Sequence, residues 1–455
     1  VLRPYQLALL AETRAAMMAG TRSLLITSPT GSGKTMLTVH MLREAALKGK
    51  RCWFIVHRRE LLKQSLLAFS SQGVKAGVIG AGWLAEPKHA IQVCGIGALP
   101  NRMRHYQPPD LVVWDESHHC NAKSWATVKR QLSGAYHVGL TATPERLDGK
   151  GLGEHFSKII HGPSVKELIA DGFLSPYRLY STPGIDTRGL RSVAGDYSKK
   201  QLGLVADKPT ITGDAVNHYV RLAGGKQAVV FAVSIEHSKH IVAQFQAQGI
   251  SALHIDGETS ATERDRGMER FKSRGVQVLC NVDLFGEGVD VPGIECAILL
   301  RPTQSLGLYL QQVGRALRTA PGKTEAIILD HAGNAGRHGL PDDARGWNLA
   351  GHAGGTKRDQ EQKIHVRICP KCFAAQAPGP SVCQFCGTAF NKTPREIQQA
   401  EGELQEVIRM AAKVAARKEV GRARTESELV ALGQSRGYKN PQWWAQSILA
   451  ARGFK

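Results

Sequence analysis

The segment Ser28-Pro-Thr-Gly-Ser-Gly-Lys-Thr35 constrains this chain more than any other. It follows the apolar run Leu24-Leu25-Ile26 and leads into a stretch that reads as a helix. In that context the backbone N–H groups of Thr30, Gly31, Ser32 and Gly33 curl around a phosphate chain, with the glycines supplying the tight turns. Lys34 reaches the terminal phosphates, and the Thr35 hydroxyl holds magnesium. Ser28 stands where the general pattern has glycine. The plainer alternative is an ordinary glycine-rich turn.

A second segment argues against that alternative. Leu111-Val-Val-Trp-Asp115-Glu116-Ser-His-His119 is an apolar strand that ends in two carboxylates. Downstream of a phosphate loop, Asp115 is placed to hold magnesium, directly or through water. Glu116 is placed to orient and deprotonate the attacking water. Without the phosphate loop, Asp-Glu after a strand would be a favourably charged helix start.

The rest of the chain alternates apolar runs with helical stretches, which predicts parallel sheets flanked by helices. In the first block the runs are Leu24–Ile26, Cys52–Val56, Ile91–Val93 and Leu111–Trp114. In the second they are Ala228–Phe231, Ala252–Ile255, Gln277–Cys280, Ala297–Leu300 and Ala326–Leu329. The expected organisation is an α/β domain over 1–180, a linker or irregular excursion over 181–210 and a second α/β domain over 211–340. A cysteine-containing region over 341–393 and a basic helical tail over 394–455 follow, with a helix from about Pro394 to Val420. The whole reads as two tandem α/β domains with a small C-terminal addition.

The motifs occur in a fixed order that resembles the superfamily 2 helicases of the DEAH-like branch, over roughly residues 1–335. Arg3-Pro-Tyr-Gln6 resembles the adenine-recognising segment, which implies that Arg3 and Gln6 contact the base. Phe54-Ile-Val-His57-Arg58 resembles motif Ia and implies nucleic-acid contact by His57 and Arg58. Asp115-Glu-Ser-His118 resembles the DEAH box with Ser for Ala. Leu140-Thr141-Ala-Thr-Pro144 resembles motif III, which links the ATP site to the nucleic-acid track. Val230-Phe-Ala-Val-Ser234 resembles motif IV. The resemblance places Thr141 and Ser234 among the nucleic-acid contacts. His254-Ile-Asp-Gly257 with Arg264 resembles the next element. Leu284-Phe-Gly-Glu-Gly288-Val-Asp290 resembles motif V, where Gly288 and Asp290 meet the nucleotide. Gln311-Gln-Val-Gly-Arg315-Ala-Leu-Arg318 resembles motif VI. Arg315 and Arg318 are then arginine fingers reaching across the cleft, and Gln311 is the partner of His118 on closure. The implied architecture is two RecA-like domains whose closure over ATP drives the cycle.

Nine cysteines make an odd set, and five of them are scattered. The other four form Cys369-Pro-Lys-Cys372 and Cys383-Gln-Phe-Cys386. Four thiolates at that spacing suit tetrahedral zinc, and the four ligands leave no open position, so the zinc is structural. A redox pair is the alternative. The expected module is either a small fold stapled by metal or a contact for nucleic acid or a partner. In the tail, Arg422, Arg424, Arg436, Lys439, Trp443 and Trp444 suit phosphate contact and base stacking, or the two tryptophans pack a terminal helix.

The formal charge of +20 favours a polyanionic partner. No apolar run is long enough to span a bilayer, and no secretory signal is read at the N-terminus. The expected setting is the cytoplasm of a bacterial or phage-infected cell. The resemblance favours a DNA helicase or translocase that remodels branched or forked substrates, because a DEAD-box RNA pattern would place Ala-Asp after Asp115-Glu116. An RNA helicase and an ATP-gated clamp or motor subunit are the competing readings.

Overall fold

The computed structural model describes residues 2–120, 123–145, 151–182, 190–193, 196–198, 201–202, 209–282, 291, 293–351, 366–390, 419–420, 423, 425–436, 438 and 440–451. Two compact units are present, Val1–Ala389 and Phe390–Lys455.

The first unit contains two parallel sheets. Sheet one has seven strands in the order β3-β4-β2-β5-β6-β1-β7. These are β1 (Ser23–Thr27), β2 (Cys52–Val56), β3 (Gly77–Ile79), β4 (Ile91–Gly95), β5 (Leu111–Trp114), β6 (Tyr136–Thr141) and β7 (Lys158–His161). Strands of a parallel sheet are covered on both faces, so their sequences are continuous apolar runs. Successive side chains then fall into different cores: Leu24 and Ile26 into one, Leu25 into the other.

Sheet two has six strands in the order β12-β13-β11-β14-β15-β8. These are β8 (Tyr177–Ser181), β11 (Ala228–Phe231), β12 (Ala252–Ile255), β13 (Val278–Asn281), β14 (Cys296–Leu299) and β15 (Ala326–Asp330). The same alternation holds: Val229 and Phe231 face one core, Ala228 and Val230 the other. The two parallel sheets expected from the alternating pattern are therefore present, as is the RecA-like pair that the resemblance implies. Parallel strands place all their C-terminal ends on one edge, where the motif-bearing loops collect.

The second sheet takes a strand from before the expected start of its domain at residue 211. Strand β8 pairs with β15, Tyr177 opposite Ala326 and Ser181 opposite Asp330. It is an edge strand with only two of its five residues buried, so its sequence lacks the apolar run that marks the central strands. The expected irregular excursion contains a short hairpin, β9 (Ser192–Val193) with β10 (Asp196–Tyr197). Asp196 anchors that hairpin to the second lobe: its carboxylate lies 3.1 Å from Arg301 and accepts from the Gln304 backbone N–H at 2.8 Å.

After β15 the chain returns to the first lobe. The Gly153 N–H donates to the Leu349 carbonyl at 2.8 Å, and the Gly151 N–H to that of Ala350 at 3.2 Å. The four-cysteine module follows, with a two-stranded ribbon, β16 (Arg367–Ile368) and β17 (Ala375–Gln376). It is docked on the edge of sheet two through a Tyr180–Ala374 bridge and a Ser181 N–H to Phe373 carbonyl bond of 3.0 Å.

In the second unit the described helices are Glu426–Ser435 and Pro441–Ala451. The expected helix from about Pro394 to Val420 falls almost wholly outside the described residues, as do Arg422, Arg424 and Lys439. Trp444 packs edge-on against Tyr438 with ring centroids 5.0 Å apart, whereas Trp443 is 67% exposed. Trp444 thus packs within the tail, whereas Trp443 is left at its surface. Among the described residues no helix is long and apolar enough to cross a membrane.

Candidate nucleotide site and metal centre

The phosphate loop joins β1 to the helix Lys34–Leu47. Gly31 and Gly33 have φ of +87° and +80°, the left-handed region open to glycine. A Cβ at Gly33 would also lie 2.7 Å from Gln6 Nε2. Gln6 is buried and fully engaged: its amide donates to the Ser32 and Gly33 carbonyls at 3.2 and 3.1 Å and accepts from the Arg3 N–H at 2.9 Å. Tyr5 donates to the Ser32 carbonyl at 2.5 Å. The Arg3 guanidinium lies over the Phe173 ring, 4.8 Å from its centroid. The N-terminal segment thereby fixes the shape of the phosphate loop. Lys34 donates to the Ser28 and Pro29 carbonyls at 3.0 and 3.2 Å, and Thr35 is exposed at the helix start.

Asp115 and Glu116 follow β5 directly. Burial holds the Asp115 carboxyl up at about 6; the neighbouring Glu116 adds to the rise, and Lys34 and His57 oppose it. A half-buried pair of carboxylates is a donor set of oxygens suited to a hard divalent cation. Glu116 has φ +46° and ψ 55°, a left-handed conformation in a residue that carries a Cβ. Such strain costs roughly 1–2 kcal/mol and is concentrated at functional sites.

The second lobe completes the pocket. A Cβ at Gly314, in the helix Leu306–Ala316, would lie 2.5 Å from the Thr30 Cβ. The helix therefore seats directly on the phosphate loop. A Cβ at Gly31 would lie 3.2 Å from Arg318 Cγ. Burial lowers the Lys34 ammonium below its ordinary value; Glu116 and Asp115 oppose the fall, while Arg315 and Arg318 deepen it. Arg318 thus lies against the phosphate loop, and Arg315 is buried at the end of the same helix that carries Gly314. On the far side of the interface Arg264 pairs with Glu60 at 2.5 Å and Lys63 with Asp265 at 3.0 Å.

His118 meets motif III. Its Nδ1 is 3.5 Å from the Glu116 carboxylate and 3.3 Å from the Thr141 hydroxyl. Thr141 donates to the Thr143 carbonyl at 2.8 Å and accepts from its N–H at 3.1 Å. A Cβ at Gly307, in the first turn of the helix that carries Gln311, would lie 2.9 Å from the Thr143 hydroxyl. A packed chain therefore runs from the acidic box through motif III to the second lobe. Gln311 is buried in that helix. Thr141, expected among the nucleic-acid contacts, ends a central strand, is fully buried and belongs to this chain.

His57 is half-buried, its ring 4.6 Å from that of His119, and it faces the acidic box. Arg58 and Ser234 occupy matching positions in the two lobes, each at the N-cap of the helix after its strand; the Ser234 hydroxyl accepts from the His237 N–H at 3.1 Å. Gly288 and Asp290 lie outside the described residues.

The four sulfurs of Cys369, Cys372, Cys383 and Cys386 lie within 4.8 Å of one another. The Cys369–Cys386 and Cys372–Cys383 separations are both 3.7 Å, too long for disulfides. A tetrahedron with metal–sulfur bonds of about 2.3 Å has sulfurs about 3.8 Å apart, so the cluster fits zinc. The Cys386 thiol is lowered to about 6 by hydrogen bonding to Thr388. Replacing Cys383 and Cys386 together by serine is expected to take zinc from one ion per chain to none, read by elemental analysis. Full retention would contradict the assignment.

Residues 1–146 match the family model described as type III restriction enzyme, res subunit, and residues 212–320 match the helicase conserved C-terminal domain. A 51.5 kDa protein of a Lactococcus phage is 36% identical over 400 residues, covering 87% of this chain and 85% of the phage protein. A DNA 3'-5' translocase, XPB2 of Sulfurisphaera tokodaii, is 25% identical over 378 residues, 72% of this chain and 81% of that one. Among solved structures, the ATP-dependent Type ISP restriction-modification enzyme LlaBIII bound to DNA superposes with a TM-score of 0.55 at 18% identity. It covers 72% of this chain and 27% of the other, and it shows the fold alone.

Proposed function

Because the chain belongs to the superfamily 2 helicases and is an ATP-dependent enzyme of that class, we propose that it moves along DNA and remodels branched or forked substrates. The observation that carries this reading is the motif VI helix seated on the phosphate loop, with Gly314 against Thr30 and Arg318 against Gly31. ATP would stabilise this closed arrangement, and hydrolysis with loss of phosphate would release it.

Glu116 would take the proton of the attacking water, and Arg315 and Arg318 would stabilise charge on the transferred phosphoryl group. Thr35 and Asp115 would hold magnesium, which supplies charge neutralisation at the phosphates. The Glu116–His118–Thr141–Thr143 chain would couple the base to the second lobe. Arg58 and Ser234, at matching strand ends, would let each lobe grip the same strand.

DNA as the track is supported by the charge of +20 and by relatives named for action on DNA. The test is steady-state ATP turnover with single-stranded, duplex, forked and branched DNA, and with RNA of the same sequence. DNA is expected to raise turnover at least about tenfold, most strongly with forks or branches, and the effect should fall with added salt. Stimulation by RNA alone would overturn the assignment of the track.

A further inference from the structure

The two cysteine knuckles make the same turn with different residues. In the second, Gly387 follows Cys386 with φ +69°, and its N–H donates to the Cys383 carbonyl at 2.9 Å. In the first, Phe373 follows Cys372 with φ +59°, and its N–H donates to the Cys369 carbonyl at 2.9 Å. Glycine meets this left-handed turn without strain, and a residue with a Cβ does not. Among the described residues Phe373 is one of three non-glycine residues with positive φ; the catalytic-box residue Glu116 is another.

Core burial does not offset that strain, because Phe373 remains 40% exposed. Docking on the second lobe uses its carbonyl, which any residue offers. The ring therefore has another use. Phe373 borders a cavity of about 300 Å³, together with Tyr180, Thr182, His218, Arg221 and His331. His218 and His331 are stacked, with centroids 5.1 Å apart and planes at 22°. Burial lowers the His331 imidazole to about 4, so this wall is neutral on that side at physiological pH. The cavity opens at the C-terminal ends of β8 and β15, on the sheet edge that also carries Ser234 after β11. Aromatic faces with a nearby guanidinium form a platform for unpaired bases, whose π-faces stack whatever the sequence.

We propose that this cavity, between the second lobe and the zinc module, receives one unpaired base of the bound strand, stacked on Phe373 and Tyr180 with Arg221 at the adjoining phosphate. This inference rests on the nucleic-acid reading above. The zinc module is then part of the track, and Phe373 occupies a glycine position because its ring binds.

The test uses the full chain with labelled oligothymidylate, and with a second oligonucleotide carrying 2-aminopurine as the fluorescent base. F373G relieves the turn and removes the ring, and F373L keeps apolar bulk without a π-face. Both are expected to retain one zinc per chain and to bind oligothymidylate roughly tenfold more weakly, with less quenching of 2-aminopurine. F373W is expected to bind within about twofold of the parent. Parent-like affinity and quenching in F373L would overturn the stacking site while leaving the DNA reading intact, and would fit an apolar side chain of a protein partner. Absence of oligonucleotide binding by the parent chain would overturn both. Should F373G lose zinc, F373L decides.

Discussion

Glu116→Gln is expected to bind ATP about as well as the parent chain and to lose turnover on the order of 10³-fold. The substitution keeps the shape and volume of the side chain and removes only its ability to take a proton. The geometry favours a large effect. Glu116 is held in a left-handed backbone conformation that glutamate does not prefer, directly after β5 and 3.5 Å from His118. A surrounding structure that maintains such strain fixes the carboxylate in one place. Phosphate release under saturating ATP and DNA measures the loss, and nucleotide binding by fluorescence shows that the pocket persists. Parent-like turnover would remove Glu116 from the role of base.

Arg318→Ala is expected to lower turnover by about 10³-fold with nucleotide affinity changed only a few-fold. Arg318 comes from the second lobe yet lies against Gly31 of the phosphate loop. It contributes to the fall of the Lys34 ammonium, as does Arg315. On the proposed reading a cation in that place would meet charge that develops on the phosphoryl group, so its removal would be felt mostly in the transition state. Lysine at the position should restore little, because an ammonium does not reproduce the planar fork of a guanidinium. An equal loss in binding and turnover would mean that Arg318 holds ground-state nucleotide instead.

These residues were legible because their chemistry is local in sequence. The phosphate loop needs glycine at particular φ values, and Gly31 and Gly33 have them. The central strands are continuous apolar runs because both faces are covered. Contacts fixed only by tertiary packing were not legible. Strand β8 lies at an edge and reads as mixed polar sequence, so its pairing with β15 is not announced by an apolar run. The motif of Thr141 does not announce its burial, which comes from the place of its strand between β5 and β1. Glu60 and Arg264 are 204 residues apart, and neither sequence context announces the other. The strained position of Phe373 follows from the knuckle turn, whose signal in sequence is the glycine after Cys386. The same position after Cys372 holds phenylalanine, and that contrast gains meaning only once both turns and the cavity are seen.

The seating of one lobe on the other at the phosphate loop is tested most directly by ATP turnover of Gly314→Ala, alone and with Thr30→Gly. In Gly314→Ala the new Cβ would meet the Thr30 Cβ at 2.5 Å, closer than carbon atoms approach, so the helix must lift from the loop. Turnover is expected to fall about 100-fold, with binding of ATP to the first lobe largely kept. Adding Thr30→Gly removes the opposing carbon and should recover most of the loss. Parent-like turnover in Gly314→Ala alone would contradict closure of the two lobes at this contact during hydrolysis.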